Sequence, residues 1–396
     1  MSFPAETQRR RGMKAGWQTK PLGGLCEILD NRRKPITKRD RVAGDYPYYG
    51  ATGIQDHVIG FIFDEPLVLV GEDGAKWASG DNTAFAISGR CWVNNHAHVL
   101  RTHRNAILDN WLIYFLNHSD LSEFVSGLTV PKLNQGSLRE IPIPVPPLPE
   151  QERIVGILGE AFDGIDKAKA LAEANLQNAC ALFQSHLQSV FSQKGERWVE
   201  MKLGAATNGV FTGPFGSLLH KSDYVENGIP LVNPAHISDA GIEPDYKKSV
   251  SQETAHRLQS YIMHEGDIVI GRRGEMGRCA LVTKVEEGWL CGTGSFFIKP
   301  SKDCDPRYLV HFLRSAGCRK QLEKLAGGAV MPNLSNTVLS DFPIVLPPLA
   351  KQKLIIETVD SIAGETQRLE SLYQGKLNAL NELKKSLLHQ AFSGNL

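Results

Sequence analysis

A chain of 396 residues is long enough for two or three domains with cores of their own. Hydrophobic residues make up 42% of it, as in ordinary globular proteins, and no run of about eighteen apolar residues predicts a membrane span. The 7 cysteines include no Cys-x-x-Cys pair, which favours reduced thiols and a cytoplasmic location over a disulfide framework. A net charge of +1 excludes a uniformly basic chain, so any surface for nucleic acid must be local.

The N-terminus is polar. Met1–Gly16 contains Arg9-Arg10-Arg11 but no apolar stretch of the kind found in a signal peptide. We expect a disordered tail over residues 1–16. Met13 is an alternative to Met1 as the start of the protein.

Residues 17–149 are predicted to form a first folded block of mixed helices and strands. Within it, Asn31–Arg41 holds six basic residues against one acid and is broken by Pro35, which predicts a loop. The candidate phosphate contacts in this loop are Arg32, Arg33, Lys34 and Lys38. The alternative is a solvated surface without function.

An aromatic segment follows at Tyr46–Ile54, and its glycines predict a turn. Tyr49 could reach a base, or it could pack against the edge of a sheet. Leu67–Val70 predicts a strand that ends in a tight loop at Gly71–Ala75, and Trp111–Leu116 predicts a helix. His96 and His98 alternate along a strand near Cys91, a set that could suggest a metal, but no fourth ligand is nearby, so we favour a structural role for both histidines.

A long helix is predicted for residues 150–197, because apolar residues recur there at steps of three and four. The positions expected to pack along this seam are Ile154, Leu158, Ile165, Leu176 and Leu187. A stripe of this length needs a partner stripe, as in a coiled coil.

Residues 198–349 are predicted to form a second block, which opens with the same Trp-x-x-x-x-Leu-Gly pattern as the first, at Trp198 and at Trp17. A strand over Asp267–Ile270 enters an arginine-rich turn. Arginine can bond guanine through two hydrogen bonds, and asparagine can read adenine. The candidate DNA contacts are therefore Arg272, Arg273 and Arg278, with Lys221 and Asn233 in addition. The alternative for the arginines is surface ion pairing with Glu275 or Glu265.

A second long helix is predicted for residues 350–396, with seam positions Ile355, Val359, Leu369, Leu377 and Leu387. It repeats the first at an offset of 201 residues: Leu133 maps onto Leu334, Pro146 onto Pro347 and Phe191 onto Phe392. An internal duplication of this kind decides the architecture. The two copies of the helix are the natural partners in the predicted coiled coil.

Catalytic signatures are missing. The nearest approach to a phosphate-binding Gly-x-x-x-x-Gly-Lys-Ser loop, at Gly216–Ser222, has His220 in place of the second glycine. No fingerprint for S-adenosylmethionine or a dinucleotide and no Gly-x-Ser-x-Gly elbow stands out. We therefore predict that this chain is not an enzyme and binds no cofactor or metal.

Two dissimilar blocks, each closed by Pro-Pro-Leu-x-x-Gln and a long helix, resemble the specificity subunit of a type I restriction-modification system. The resemblance implies α/β (α+β) target-recognition domains in two copies, joined by two antiparallel helices in a body with internal pseudo-twofold repeat. Each block would bind one half of a split DNA target, and Gln151 and Gln352 would hold the hinges before the helices.

The same resemblance implies partners: double-stranded DNA, two modification (methyltransferase) subunits and two restriction (translocase/nuclease) subunits. These subunits would supply S-adenosylmethionine, ATP and Mg²⁺. Two alternatives belong to other classes. One is a DNA methyltransferase or nuclease with a divergent motif. The other is a coiled-coil interaction scaffold without DNA function, which the near-neutral charge favours.

Overall fold

The computed structural model describes residues 16–127, 129–192, 195–327 and 333–396. The tail predicted at residues 1–16 and the alternative start Met13 lie outside these ranges, apart from Gly16. The chain folds as two compact units: unit 1 combines Met1–Glu173 with Gln374–Leu396, and unit 2 is Ala174–Tyr373. Each unit therefore contains one block, one end of the first long helix and one end of the second.

Unit 1 contains short strands around one helix and then the first long helix. In chain order its elements are β1 (Gln18–Pro21), β2 (Cys26–Ile28), β3 (Ala43–Gly50), β4 (Gly53–Val58), β5 (Phe63–Asp64), β6 (Leu67–Gly71), β7 (Ala84–Ile87), β8 (Arg90–Val93), β9 (Ala97–Thr102), α1 (Asp109–His118), β10 (Val125–Ser126), β11 (Lys132–Leu133), α2 (Gln135–Glu140), β12 (Pro142–Val145) and α3 (Leu148–Ser192).

Two four-stranded sheets form the frame of unit 1. One is antiparallel with the order β2-β9-β6-β7, and the other is mixed with the order β4-β3-β8-β5, in which β3 and β8 run parallel. Every residue of β6 is buried, because this strand lies inside its sheet with both faces covered, and this explains its unbroken apolar sequence. The pair β1-β12 brings the start of the block to the residues that precede α3.

Unit 2 repeats this order with additional short elements. They are β13 (Val199–Lys202), β14 (Thr207–Thr212), β15 (Tyr224–Val225), β16 (Ile229–Val232), β17 (Ile237–Ser238), β18 (Gly241–Ile242), β19 (Ser249–Val250), α4 (Gln252–Arg257), β20 (Ile268–Gly271), β21 (Cys279–Leu281), β22 (Leu290–Cys291), β23 (Ser295–Pro300), α5 (Pro306–Arg314), α6 (Ala316–Leu325), α7 (Asn336–Ser340), β24 (Pro343–Leu346) and α8 (Leu349–Ser393).

The sheets of unit 2 correspond to those of unit 1. The antiparallel sheet has the order β14-β23-β20-β21, the mixed sheet has the order β15-β19-β16-β22, and β13 pairs with β24 as β1 pairs with β12. Strands β16 and β22 run parallel, as β3 and β8 do. The predicted fold class, two mixed α/β copies with an internal repeat and two long helices, is confirmed.

The two long helices are antiparallel. Within unit 1, Lys384 of α8 lies over the ring of Phe162 at 4.7 Å and 4.0 Å from Asp166 of α3. Within unit 2, the Sγ of Cys180 donates to Glu370 at 3.0 Å. As the position advances along α3, its partner moves back along α8, so the antiparallel coiled coil is confirmed.

Burial along the predicted seam is uneven. Six of the seam residues are buried: Ile154, Leu158, Ile165, Leu187, Ile355 and Val359. Four are half-buried: Leu176, Leu369, Leu377 and Leu387. The buried positions lie toward the helix ends, where each helix also contacts a block, and the half-buried ones include the middle of both helices, where the seam is thinner.

Each long helix ends in the core of a unit in which the other long helix begins. Phe392 of α8 packs on Trp111 in unit 1, with ring centroids 4.9 Å apart. Phe191 of α3 packs on Tyr308 in unit 2 at 5.5 Å. Phe191 and Phe392 are equivalent positions of the repeat. The duplication therefore places the same aromatic contact in both units.

A buried glutamine fixes the beginning of each helix. The amide of Gln151 accepts from the N–H of Leu108 at 2.9 Å and donates to Ala106 at 3.0 Å and Pro146 at 2.9 Å. Gln352 makes the equivalent three bonds in unit 2: it accepts from the N–H of Asp305 at 2.8 Å and donates to the carbonyls of Asp303 at 2.9 Å and Pro347 at 2.8 Å. Both side chains are fully buried and fully bonded, which is the structural role that the sequence predicted.

One expected turn is a strand instead. Tyr46–Gly50 belongs to β3, and the reversal falls at Ala51 and Thr52, ahead of Gly53 with φ +119°. Aromatic residues favour strands, and Tyr48 is buried at 1% exposure between β4 and β8. The glycines therefore mark a hairpin end, not an aromatic turn.

Candidate nucleic-acid interface

The loop after β20 carries the arginines that the sequence singles out. The backbone N–H of Arg272 donates to the carbonyl of Gly294 at 3.0 Å, and the N–H of Leu334 donates to the carbonyl of Arg272 at 2.9 Å. Gly274 has φ +78°, a conformation that favours glycine, so the chain reverses there. Arg272 and Arg273 are therefore held in an extended segment between two neighbours.

The loop after β6 has the same frame in unit 1. The N–H of Glu72 donates to the carbonyl of His96 at 2.9 Å, and the N–H of Leu133 donates to Glu72 at 2.8 Å. Gly74 has φ +68°. Leu133 and Leu334 are equivalent in the repeat, so Glu72-Asp73 occupies the place of Arg272-Arg273. The charge of the pair is reversed within one backbone frame.

In both units the loops that follow the parallel strands, β3 and β8 in unit 1 and β16 and β22 in unit 2, lie beside the loops just described. In unit 2 the N–H of Gly294 donates to the Oδ1 of Asn233 at 3.4 Å, and the N–H of Gly292 donates to Val232 at 2.9 Å. In unit 1 the N–H of Asn94 donates to Tyr49 at 3.0 Å. The structure thus brings Asn233 and Arg272 together at the loop 292–294, with Arg273 beside them.

The three candidate arginines of unit 2 differ in their contacts. Burial, and then the charge of Arg273, lowers the pKa of Arg272, whose Nε donates to Asn333 at 3.1 Å and whose guanidinium lies 5.2 Å from the ring centre of Phe296. Arg273 is exposed, and its side chain has no partner among the residues that the structure describes. Arg278 pairs with Glu275, the contact that the alternative interpretation expected. Arg273 is therefore the arginine best placed to meet a ligand.

The remaining candidate of unit 2 lies elsewhere on its surface. Lys221 is exposed at the start of a 3-10 turn, Lys221–Asp223. In that turn the N–H of His220 donates to the carboxylate of Asp223 at 2.7 Å, and Lys221 itself takes no part in this bond.

Arg33 is largely enclosed in unit 1, with 12% of its side chain exposed. It pairs with Glu72, lies 3.3 Å from the Asp30 carboxylate and donates to the carbonyl of Ala97 at 2.9 Å. Burial acts to raise the pKa of Asp30, but hydrogen bonds from His98 and Val99 and the charge of Arg33 outweigh it, so this pKa is lowered. The guanidinium is engaged by internal acceptors.

Asp30, Glu72 and His98 offer ligand atoms within 4.8 Å of one another, a geometry that suggests a metal. The Nδ1 of His98 lies 2.6 Å from Asp30, however, and its Nε2 lies 2.7 Å from the carbonyl of Leu133, which requires a proton on Nε2. Lys132 lies 2.8 Å from Glu72, and this hydrogen bond raises the pKa of Lys132. These donors are engaged in a charge network with Arg33, and they do not fit a metal site.

Arg32 lies at the rim of the first block, with 44% of its side chain exposed. It donates to the carbonyl of Ile62 at 3.0 Å and lies 4.6 Å from the ring centre of Phe63. Lys34 and Lys38 are exposed.

Tyr49 is half-buried, with its ring 6.1 Å from that of Phe85. Burial, and then the neighbouring Cys91, raises the pKa of its hydroxyl. The environment of Tyr49 matches the packing alternative.

Sequence reasoning missed two features of this region. Phe215 is 57% exposed on the loop between Gly213 and Gly216, and a cavity of about 560 Å³ adjoins Asp73 in unit 1. A Gly-Pro-Phe-Gly run directly after a strand is a signal that could have found the first. The second depends on residues brought together from distant segments, which no local pattern reveals.

The family model for the type I restriction modification DNA specificity domain matches residues 14–175 and again 209–379. These two matches cover most of the chain. The chain belongs to this family. Membership confirms the prediction of a non-catalytic specificity subunit, and the double match agrees with the internal repeat.

Relatives match this chain over most of their length. A Haemophilus influenzae protein provisionally named type I restriction enzyme specificity subunit S.HindORF215P is 28% identical over 94% of this chain and 93% of its own. The MjaVIII specificity subunit of Methanocaldococcus jannaschii is 21% identical over 96% and 93%. The EcoKI specificity subunit of Escherichia coli is 23% identical over 85% and 75%.

Solved structures share the fold. A chain from a study of complex assembly and conformational transition of the type I R-M system has a TM-score of 0.74 at 18% identity, over 97% of this specificity subunit and 99% of that chain. The HsdS subunit from Thermoanaerobacter tengcongensis has a TM-score of 0.58 at 19% identity, over 98% and 100%. Among the described residues, no helix is both long and apolar enough to span a membrane.

The two adjacent arginines of the first block give a matched test of structural roles. Arg33→Ala leaves Asp30 and Glu72 with one cation fewer in a buried network, so we expect the free energy of unfolding to fall by about 3–5 kcal/mol. Arg32→Ala removes a partly exposed contact, and we expect a loss of about 1 kcal/mol or less. Urea unfolding of both variants measures the difference. Equal losses would contradict the network described for Arg33.

Proposed function

We propose that this specificity subunit recognises a two-part DNA sequence, with one half-site bound by each block. In this proposal residues 17–149 and 198–349 are the recognition domains, and residues 150–197 and 350–396 are the spacer helices. The observation that carries the proposal is the shared hydrogen-bond frame around Glu72-Asp73 and Arg272-Arg273. The two loops share one backbone frame but carry side chains of opposite charge. This fits two domains that recognise different base sequences, because different side chains match different base edges.

The proposed contacts of the second block centre on Arg273, with Arg272 and Asn233 beside it. An exposed arginine on a rigid turn can donate two hydrogen bonds to the O6 and N7 atoms of guanine. Arg278 contributes less in this scheme, because Glu275 engages its guanidinium.

Phosphate contacts are assigned to exposed lysines. Lys34, Lys38 and Lys221 are exposed, which suits phosphate groups more than base edges. Arg33 acts by positioning the loop at Glu72, while Arg32 and Tyr49 stay candidate contacts at the rim of the first block. Because both blocks are nearly neutral, partner subunits share the phosphate contacts.

We also propose that the helices carry the partner subunits. Leu171 and Leu182 of α3 are 66% and 70% exposed, and their repeat equivalents Leu372 and Leu383 of α8 are 43% and 48% exposed. Unit 1 contains Leu171 and Leu383, and unit 2 contains Leu182 and Leu372. Each unit therefore offers an equivalent leucine pair, which suits two identical modification subunits.

The remaining parts of the complex follow from the family. Two restriction subunits would join outside the modification subunits, and those partners would supply S-adenosylmethionine, ATP and Mg²⁺. The complex would act in the cytoplasm, where its 7 free cysteines stay reduced.

Selection from a random duplex library tests the recognition proposal, with the chain assembled with the modification subunits of its system. We expect the wild type to recover a two-part motif. Arg273→Ala should relax a guanine position in one part alone, with a loss of discrimination of about 1–3 kcal/mol. Arg278→Ala, the ion-paired control, should leave the motif nearly unchanged. A change in both parts with Arg273→Ala would contradict the modular assignment.

Lysine substitutions test the leucine pairs. The double variant Leu171→Lys, Leu383→Lys should reduce the number of bound modification subunits from two to one. It places two charges in the proposed docking surface of unit 1 and leaves the leucine pair of unit 2 unchanged. The control is Leu354→Lys: Leu354 is 52% exposed, but its repeat equivalent is Arg153, so it belongs to no matched pair. Native mass spectrometry counts the subunits. Two bound subunits in the double variant would rule out this docking surface.

A further inference from the structure

The first block lacks a free arginine at the position where the second block has Arg273, so its half-site needs another chemistry. In unit 1 the loops after β3 and β8 border the cavity of about 560 Å³ beside Asp73. The loop after β3 corresponds to the loop at Asn233 in unit 2, and the loop after β8 corresponds to the loop 292–294. The polar side chains at this cavity include Arg41, Thr52, Gln55, Asp73, Asn95 and His96.

Several of these groups are engaged within unit 1. Asp73 pairs with His96 and lies 3.7 Å from the ammonium group of Lys132. Arg41 lies over the ring of Tyr48 at 4.4 Å and 3.2 Å from Asp56. The one guanidinium at the cavity is therefore held by an aromatic face and a carboxylate, which disfavours its use on guanine.

Gln55 and Asn95 are different. Both are exposed, and neither side-chain amide has a hydrogen-bond partner among the residues that the structure describes. The backbone under each is nevertheless fixed. The carbonyl of Asn95 accepts from Arg33 at 3.4 Å, and a Cβ on Gly50 would lie 2.8 Å from the Cγ of Gln55, so Gln55 packs directly over that glycine. Two unpartnered amides therefore line one cavity, one on strand β4 and the other on the loop after β8.

We propose that this cavity receives base edges of the first half-site and that Gln55 and Asn95 read adenine there. A carboxamide matches adenine, because its oxygen accepts from N6 while its NH₂ donates to N7. Guanine presents two acceptors at the same edge, so the amide oxygen would face O6 without a proton between them. The inference rests on the proposed two-part recognition and adds the chemistry of its first half.

The test uses the full chain assembled with the modification subunits of its own system and a random duplex library. Gln55→Ala and Asn95→Ala should each relax an adenine position within one part of the motif, with discrimination reduced roughly tenfold to a hundredfold. The other part should not change. Asn105→Ala is the matched control: Asn105 is an exposed asparagine of unit 1 that does not line this cavity. Thermal unfolding midpoints of all three variants should equal that of the wild type, because the side chains are exposed.

Three results would overturn the inference while leaving two-part recognition intact. They are a first half-site without adenine, an unchanged motif in both variants, and an equal loss of affinity for all duplexes. Failure of the wild type to select any two-part motif would instead contradict the proposed function itself. The wild-type selection therefore separates the two failures.

Discussion

The aromatic contact of one phenylalanine near the end of each long helix is the interaction on which the architecture depends. Phe392 packs on Trp111 in unit 1, and Phe191 packs on Tyr308 in unit 2. Phe191 is buried and Phe392 is half-buried, and replacing a buried phenylalanine by alanine typically costs about 3–5 kcal/mol. Most of the stability of a helix in a protein comes from packing of its apolar face, and the buried seam positions of these two 45-residue helices lie toward their ends. Each block is thereby joined to both helices.

Because these contacts lie at the helix ends, the side chains of the loops can differ between the two blocks without disturbing them. The side-chain contacts that repeat in both units, namely those of the buried glutamines and of the terminal phenylalanines, lie at the ends of the helices. The loops that bear the candidate contacts share only backbone hydrogen bonds, so Glu72 can stand where Arg272 stands. In the first block Arg33 and Lys132 both pair with Glu72, so these two cations are engaged within the block.

The repeat, the paired helices and the loops that end the central strands could be predicted from the sequence, because each depends on periodicity or on short-range pattern. The burial of Arg33 could not. Its partners Glu72 and Ala97 lie 39 and 64 residues away, and no local pattern distinguishes Arg33 from exposed Arg32. The same limit applies to Gln55 and Asn95, which meet at one cavity only after the hairpin and the parallel strand pair have formed.

The central claim is that paired helices set the separation of two independently read half-sites. Its most direct measurement is the motif bound, or methylated, after removal of one heptad from both helices, residues 174–180 and 375–381, which are equivalent in the repeat. The account predicts that both half-sites keep their bases while the unread spacer between them shortens. An unchanged spacer, or altered bases in either half-site, would contradict it.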